Sequence, residues 1–156
     1  LVGSEMCIRD RKFTLGWMAE ALYSSKNFSE NYTATMMQAG EFAPTPHSKL
    51  MYNEAFRANQ YVAAGIKPIY VLNDMFQFRT EFYGFTPIFP IKKNALNKAY
   101  YGKAFSRFEY MGEVSVICHL PFGAISAYVN HYSSPRREWN VGMTIGWQLF
   151  NYRFVE

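Results

Sequence analysis

The chain has 156 residues, enough for one domain or part of one. Hydrophobic residues make up 49% of it, yet mean hydropathy is −0.19 and no apolar run approaches the roughly 18 residues of a membrane-spanning helix. The net charge of +4 comes from scattered Lys and Arg, with the densest pairs, Lys92-Lys93 and Arg136-Arg137, in expected loops; this reads as solvated loop charge rather than a nucleic-acid surface, and no nucleic-acid partner is expected. Aromatic content is high, 19%, as both β-rich cores and membrane-interface girdles require.

In chain order, residues 1–11 come first. They have no clear period and resemble the translation of a sequencing-adapter remnant, so they are expected to lie outside the fold. Cys7 falls within them, leaving Cys118 as a small packing residue of a strand; two cysteines make neither a disulfide framework nor a metal site.

Seven segments then read as strands: 13–24, 32–39, 58–72, 76–89, 104–120, 124–133 and 138–152. Apolar and polar residues alternate along them with the period of two that places successive side chains on opposite faces. In 76–89, Phe76, Phe78 and Phe82 oppose Gln77, Arg79 and Glu81. In 104–120, Phe108, Tyr110, Val114, Val116, Cys118 and Leu120 oppose Arg107, Glu109, Glu113, Ser115 and His119. In the last segment, Trp139, Val141, Met143, Ile145 and Trp147 oppose Asn140, Gly142, Thr144 and Gly146.

Most of these segments reach or exceed the roughly 9–11 residues that cross a bilayer at a tilt. The links 73–74, 121–123 and 25–31 are short or modest. The links 40–57, 90–103 and 133–137 fall on the opposite side, and two of them are long. Short turns on one side and longer loops on the other are the habit of outer-membrane barrels. A half-exposed soluble sheet, apolar side in, explains any one strand as well. The expected fold is all-β: an antiparallel up-and-down transmembrane β-barrel, partial, since seven strands do not close a bacterial barrel and open edges in lipid are forbidden.

From about Tyr32 onward the chain resembles the C-terminal barrel of Bacteroidetes patatin-like phospholipases, part of the bacterial surface antigen and outer-membrane assembly factor superfamily. The motifs FAPTPHSK (42–49), NEAFRANQY (53–61), LPFGAIS (120–126) and IGWQLF (145–150) carry the resemblance. It implies that residues 12–156 are the end of an outer-membrane barrel of about 16 strands. That barrel would anchor an N-terminal phospholipase absent from this chain, with export or display of it as a further option.

Two site expectations follow from the resemblance. Assembly-factor barrels fold a long loop into the lumen, where its Arg pairs with acidic wall groups. Arg57 is that candidate here, with Glu81 as partner and Glu113 second, although Ala58 stands where the superfamily has Gly. The alternative is a loop arginine with no fixed partner. Asn140, Gly142, Ile145 and Trp147 match a polar–x–Gly–x–x–apolar–x–aromatic pattern, similar to the signal read by the barrel-assembly machinery. The alternative there is a closing strand with ordinary alternation.

No Gly-x-Ser-x-Gly elbow, phosphate loop or dinucleotide motif is present, and His47, His119 and His131 lack ligand spacing. No catalysis, cofactor or metal is expected of this polypeptide. Its expected partners are outer-membrane lipid, the assembly machinery, and the missing N-terminal strands and domain. A translocator or assembly barrel without an enzyme, and a soluble lipid-binding β-barrel, are the competing functions.

Overall fold

A computed structural model describes residues 2–9, 12–25, 27–29, 31–133 and 139–147. Its strands are β1 (Val2–Arg9), β2 (Phe13–Tyr23), β3 (Gly40–Glu41), β4 (Arg57–Ala58), β5 (Gln60–Val71), β6 (Phe76–Pro87), β7 (Ile91–Lys93), β8 (Ala99–Tyr101), β9 (Glu109–Leu120), β10 (Gly123–Tyr132) and β11 (Trp139–Trp147). One helix, α1, spans Tyr32–Gln38.

The large strands form a seven-stranded sheet in the order β1-β2-β5-β6-β9-β10-β11, antiparallel throughout. It is a meander in which each strand pairs with the next large one. β3-β4 and β7-β8 are small separate ladders set into the two long links. Among the described residues β1 and β11 are the sheet's two edges and do not pair with each other.

Local chemistry explains the tight ends. At 72–75 the Asn73 side chain accepts hydrogen bonds from the amides of Met75 and Phe76, at 3.1 and 2.7 Å, closing an Asx turn. At the same end Leu120 pairs with Gly123, leaving only Pro121 and Phe122 between β9 and β10. The long links, 24–59 and 88–108, both leave from the opposite end, as the registers of Tyr23 with Gln60 and of Phe85 with Glu109 require.

Two expectations need correction. Segment 32–39 is a helix, not a strand. Asn31 caps it by accepting from the Ala34 amide at 2.7 Å, and Ala34, Met36, Met37 and Gln38 favour helix, so the cap and propensity prevail over a short alternation. Segments 25–31 and 40–57 therefore belong to one excursion at the long-link end rather than to opposite sides. Residues 1–11, expected outside the fold, supply β1, whose backbone pairs with β2 from Val2↔Ala21 to Arg9↔Thr14. An unpaired sheet edge accepts any extended segment, so this pairing is silent on where those residues come from. The expected strand at 138–152 is described for Trp139–Trp147; residue 138, 148–152 and the aromatic row Phe150, Tyr152 and Phe154 lie outside the described residues, as does nearly all of the link 133–137.

Candidate functional site: the polar wall and its inserted loop

The two faces of the sheet have opposite chemistry, and the exposed one is apolar. Val62, Ile66 and Tyr70 of β5, Phe76, Phe78 and Phe82 of β6, Val114 and Val116 of β9, and Val141, Met143 and Ile145 of β11 all face outward and are exposed. In cross-strand rows they align Trp17, Ile66, Phe82, Gly112, His131 and Trp139. At the long-link end of this face the His131 ring lies 5.7 Å from Tyr110 and 4.7 Å from Trp139, centroid to centroid. On the other face Glu81, Glu113 and Ser115 are only 1%, 3% and 2% exposed. A half-exposed water-soluble sheet turns its polar side to solvent; this one turns an apolar side outward.

The inner face divides along the strands. Towards the long-link end it is apolar and covered. The excursion between β2 and β5 lays Phe42, Ala55 and Phe56 onto Tyr61, Ala63, Tyr83, Phe85, Met111 and Tyr132. Phe42 stacks on Phe85 at 5.8 Å, and Phe56 meets Tyr132 edge-on at 6.0 Å. His47 Nδ1 lies 3.0 Å from the Tyr132 hydroxyl, with its ring 5.6 Å from that of Tyr128. The excursion holds its own shape: Thr45 and Ser48 exchange hydrogen bonds through both backbone amides and side chains, at 2.8–3.1 Å. The expected long loop on the polar side of the sheet is therefore present.

Arg57 sits where this loop joins the wall, but it does not reach Glu81 or Glu113. Its guanidinium pairs with Glu41, donates to the carbonyls of Met36 and Met37 at 3.3 and 3.2 Å, and stacks 4.7 Å above the Tyr52 ring. The reason is register. Glu41 and Arg57 are direct partners of the β3-β4 ladder, and the last turn of α1 offers carbonyls that no helical amide takes. The expected Arg57–Glu81 and Arg57–Glu113 contacts are thus replaced by a clasp inside the loop. In that region burial pushes the Tyr32 phenol up, aided by its hydrogen bond to Glu54, and burial likewise raises Tyr52, against the opposing charge of Arg57.

Glu81 is served by the wall itself, and Glu113 by the wall together with Thr45 of the inserted loop. Glu81 and Glu113 are register partners on β6 and β9. Arg79 Nε is 3.0 Å from Glu81 and its Nη2 is 3.7 Å from Glu113; Lys67 Nζ approaches Glu81 to 3.4 Å, and the Tyr83 hydroxyl donates to it at 2.7 Å. Arg79 is visible in the sequence, on the same face as Glu81 and two residues away. What spacing leaves unsaid is that a short same-strand reach precludes a loop arginine. Glu41 has no comparable sequence signal, because its partner lies 16 residues on across a ladder of two residues.

Of the assembly-signal residues, Asn140 and Gly142 face the polar side and Ile145 the exposed side, 62% accessible. Trp147 pairs through its backbone with Gly123, and nothing further is described of it. The Gly142 position is occupied by its cross-strand partner, since a Cβ there would collide with the Tyr128 hydroxyl. Among the described residues no cluster of three or more His, Cys, Asp or Glu could hold a metal ion, and no helix is long and apolar enough to cross a membrane.

Fold and wall together define an all-β protein, an antiparallel meander sheet with one apolar exposed face and one inner face that is apolar and loop-covered towards the long links and charged beyond them. No family model, curated protein or solved structure matches the chain.

Proposed function

We propose that this chain is the C-terminal part of an outer-membrane β-barrel, with the apolar face of the sheet in lipid and the polar face lining the lumen. The observation that supports this most is the reversed polarity: Phe82 is 53% and Ile66 50% exposed while Glu81 is 1% exposed. Strand length agrees. β6 has 12 residues, which at about 3.3 Å each and a tilt of roughly 40° rise about 30 Å, the thickness of a hydrocarbon core. The long links at one end and tight turns at the other, and the Tyr110–His131–Trp139 ring contacts at the margin of the apolar face, fit the same reading.

By the motifs at 42–61 and 120–126, the barrel anchors a patatin-like phospholipase domain encoded upstream, with catalysis outside this chain. A soluble lipid-binding barrel would require the apolar face to turn inward, against the observed alternation. The test is behaviour in and out of detergent. The complete barrel that contains this chain is expected to need detergent or vesicles and to migrate differently on gels before and after boiling. A monodisperse protein in plain buffer would sink the membrane reading. Sequencing the genomic DNA upstream of residue 12 tests the anchor role: a continuous frame with a Gly-x-Ser-x-Gly elbow is expected, and a frame with only periplasmic modules would make this a translocator or assembly barrel instead.

A further inference from the structure

The link between β6 and β9 carries charge of one sign. From residue 82 to residue 108 there is no Asp or Glu, but there are Lys92, Lys93, Lys98, Lys103 and Arg107. Arg107 is engaged, its Nε 2.6 Å from Glu109. The four lysines are exposed, and among the described residues none has a carboxylate partner. The link 24–59 at the same end is balanced by comparison, with Glu41 on Arg57 and Glu54 on Tyr32. At the other end the turn 72–75 carries only Asp74, and Pro121-Phe122 carries no charge.

This basic segment is not slack. β7 and β8 pair from Ile91↔Tyr101 to Lys93↔Ala99, and their turn is closed by Asn94 and Lys98 at 2.9 Å, with Asn97 in the left-handed region at φ 59°. Ile91 packs on Met36 and Ala39, which fixes the hairpin against the α1 region. Gly102 bonds back to Pro90 at 2.8 Å and Phe105 to Ile88 at 2.9 Å. Phe105 itself has φ 52°, an unfavourable region for an aromatic residue, and its ring is exposed. Three residues on, Phe108 extends over Gly84 on the apolar outer face, its ring 3.2 Å from where a Cβ would stand. The link that carries the lysines thus runs onto the apolar outer face through Phe108.

We propose that the 88–108 link binds the phosphate-bearing headgroups of membrane lipids in the leaflet at the long-link end, with Lys92, Lys93, Lys98 and Lys103 meeting the phosphates and Phe105 and Phe108 entering the adjoining acyl region. The inference rests on the membrane reading above. Basic residues held at a membrane surface attract anionic lipid, and aromatic rings favour the interface.

The test uses the complete barrel, this chain together with the strands that close it, refolded into vesicles of phosphatidylcholine alone and of phosphatidylcholine doped with phosphatidylglycerol. The protein is then re-extracted in a neutral detergent, and retained lipid is identified by native mass spectrometry. Retention should favour phosphatidylglycerol by about tenfold, fall towards parity in high salt, and fall likewise in the combined variant Lys92→Gln, Lys93→Gln, Lys98→Gln and Lys103→Gln. The matching Lys→Arg variant should keep the preference, which separates charge from a folding defect. Insertion into both vesicles with no preference, or a preference the glutamines leave intact, would overturn the headgroup site alone. Failure to insert into either vesicle would instead overturn the membrane reading.

Discussion

At the scale of single residues, two contacts decide what the loop and the wall do. Arg57 closes the loop on itself through Glu41 and the α1 carbonyls, while Arg79 lies between Glu81 and Glu113. A double-mutant cycle on Arg57→Met and Glu41→Gln is expected to give a coupling of about 0.5–3 kcal/mol. The same cycle on Arg57 and Glu81 should give a value near zero. Equal coupling for both pairs would show that the loop clasp is wrong. A second position tests packing of the wall. Gly65 faces its cross-strand partner Tyr83, whose ring lies over it, and a Cβ there would meet that ring and stand 2.7 Å from the Phe82 carbonyl. Gly65→Val should destabilise the folded form by about 1–3 kcal/mol through overpacking, measured by urea titration of the heat-modifiable band. No loss of stability would mean that the Tyr83 ring lies elsewhere.

Elements carry the membrane argument, because polarity is a property of a strand's two sides. Val114, on β9, is 40% exposed among apolar neighbours, whereas His119, on the same strand, faces the polar side beside Gln77 at 3.1 Å. With the outer face in lipid, Val114→Arg should cost about 2–4 kcal/mol near the midplane. His119→Arg should cost within about 0.5 kcal/mol, as an accessible polar position does. Both are read as the folded fraction in vesicles. If Val114→Arg is harmless, the outer face is in water. The alternation that drives this prediction is legible in the amino-acid order alone: the sides that a period of two assigns agree with the observed faces over Phe76–Pro87 and Glu109–Leu120, whereas 104–108, expected as the start of a strand, belongs to the link. Segment 32–39 misleads because Tyr32, Ala34 and Met36 mimic a strand's period over seven residues, too short a stretch to outweigh the Asn31 cap.

For the whole molecule, the sheet is an open meander with β1 and β11 at its edges among the described residues. If residues 1–11 are foreign, removing them should leave β2 to β11 intact and the heat-modifiable species unchanged. Loss of that species on deletion would make β1 an integral strand. The alternation of each long strand and the tight turns at 73–74 and 121–123 follow from period and turn residues, which act over a few positions and are written locally; the end from which the 25–31 link departs does not, because it hangs on whether 32–39 is strand or helix. By itself the sequence determined the all-β class, the positions of most long strands and which of their side chains share a face. Only the tertiary structure decided which face is covered, that α1 and the β3-β4 ladder form one inserted loop, and that Arg57 belongs to Glu41 rather than to Glu81. Those outcomes depend on competition between partners far apart in the chain, where distance and burial choose among charges that local spacing leaves equivalent.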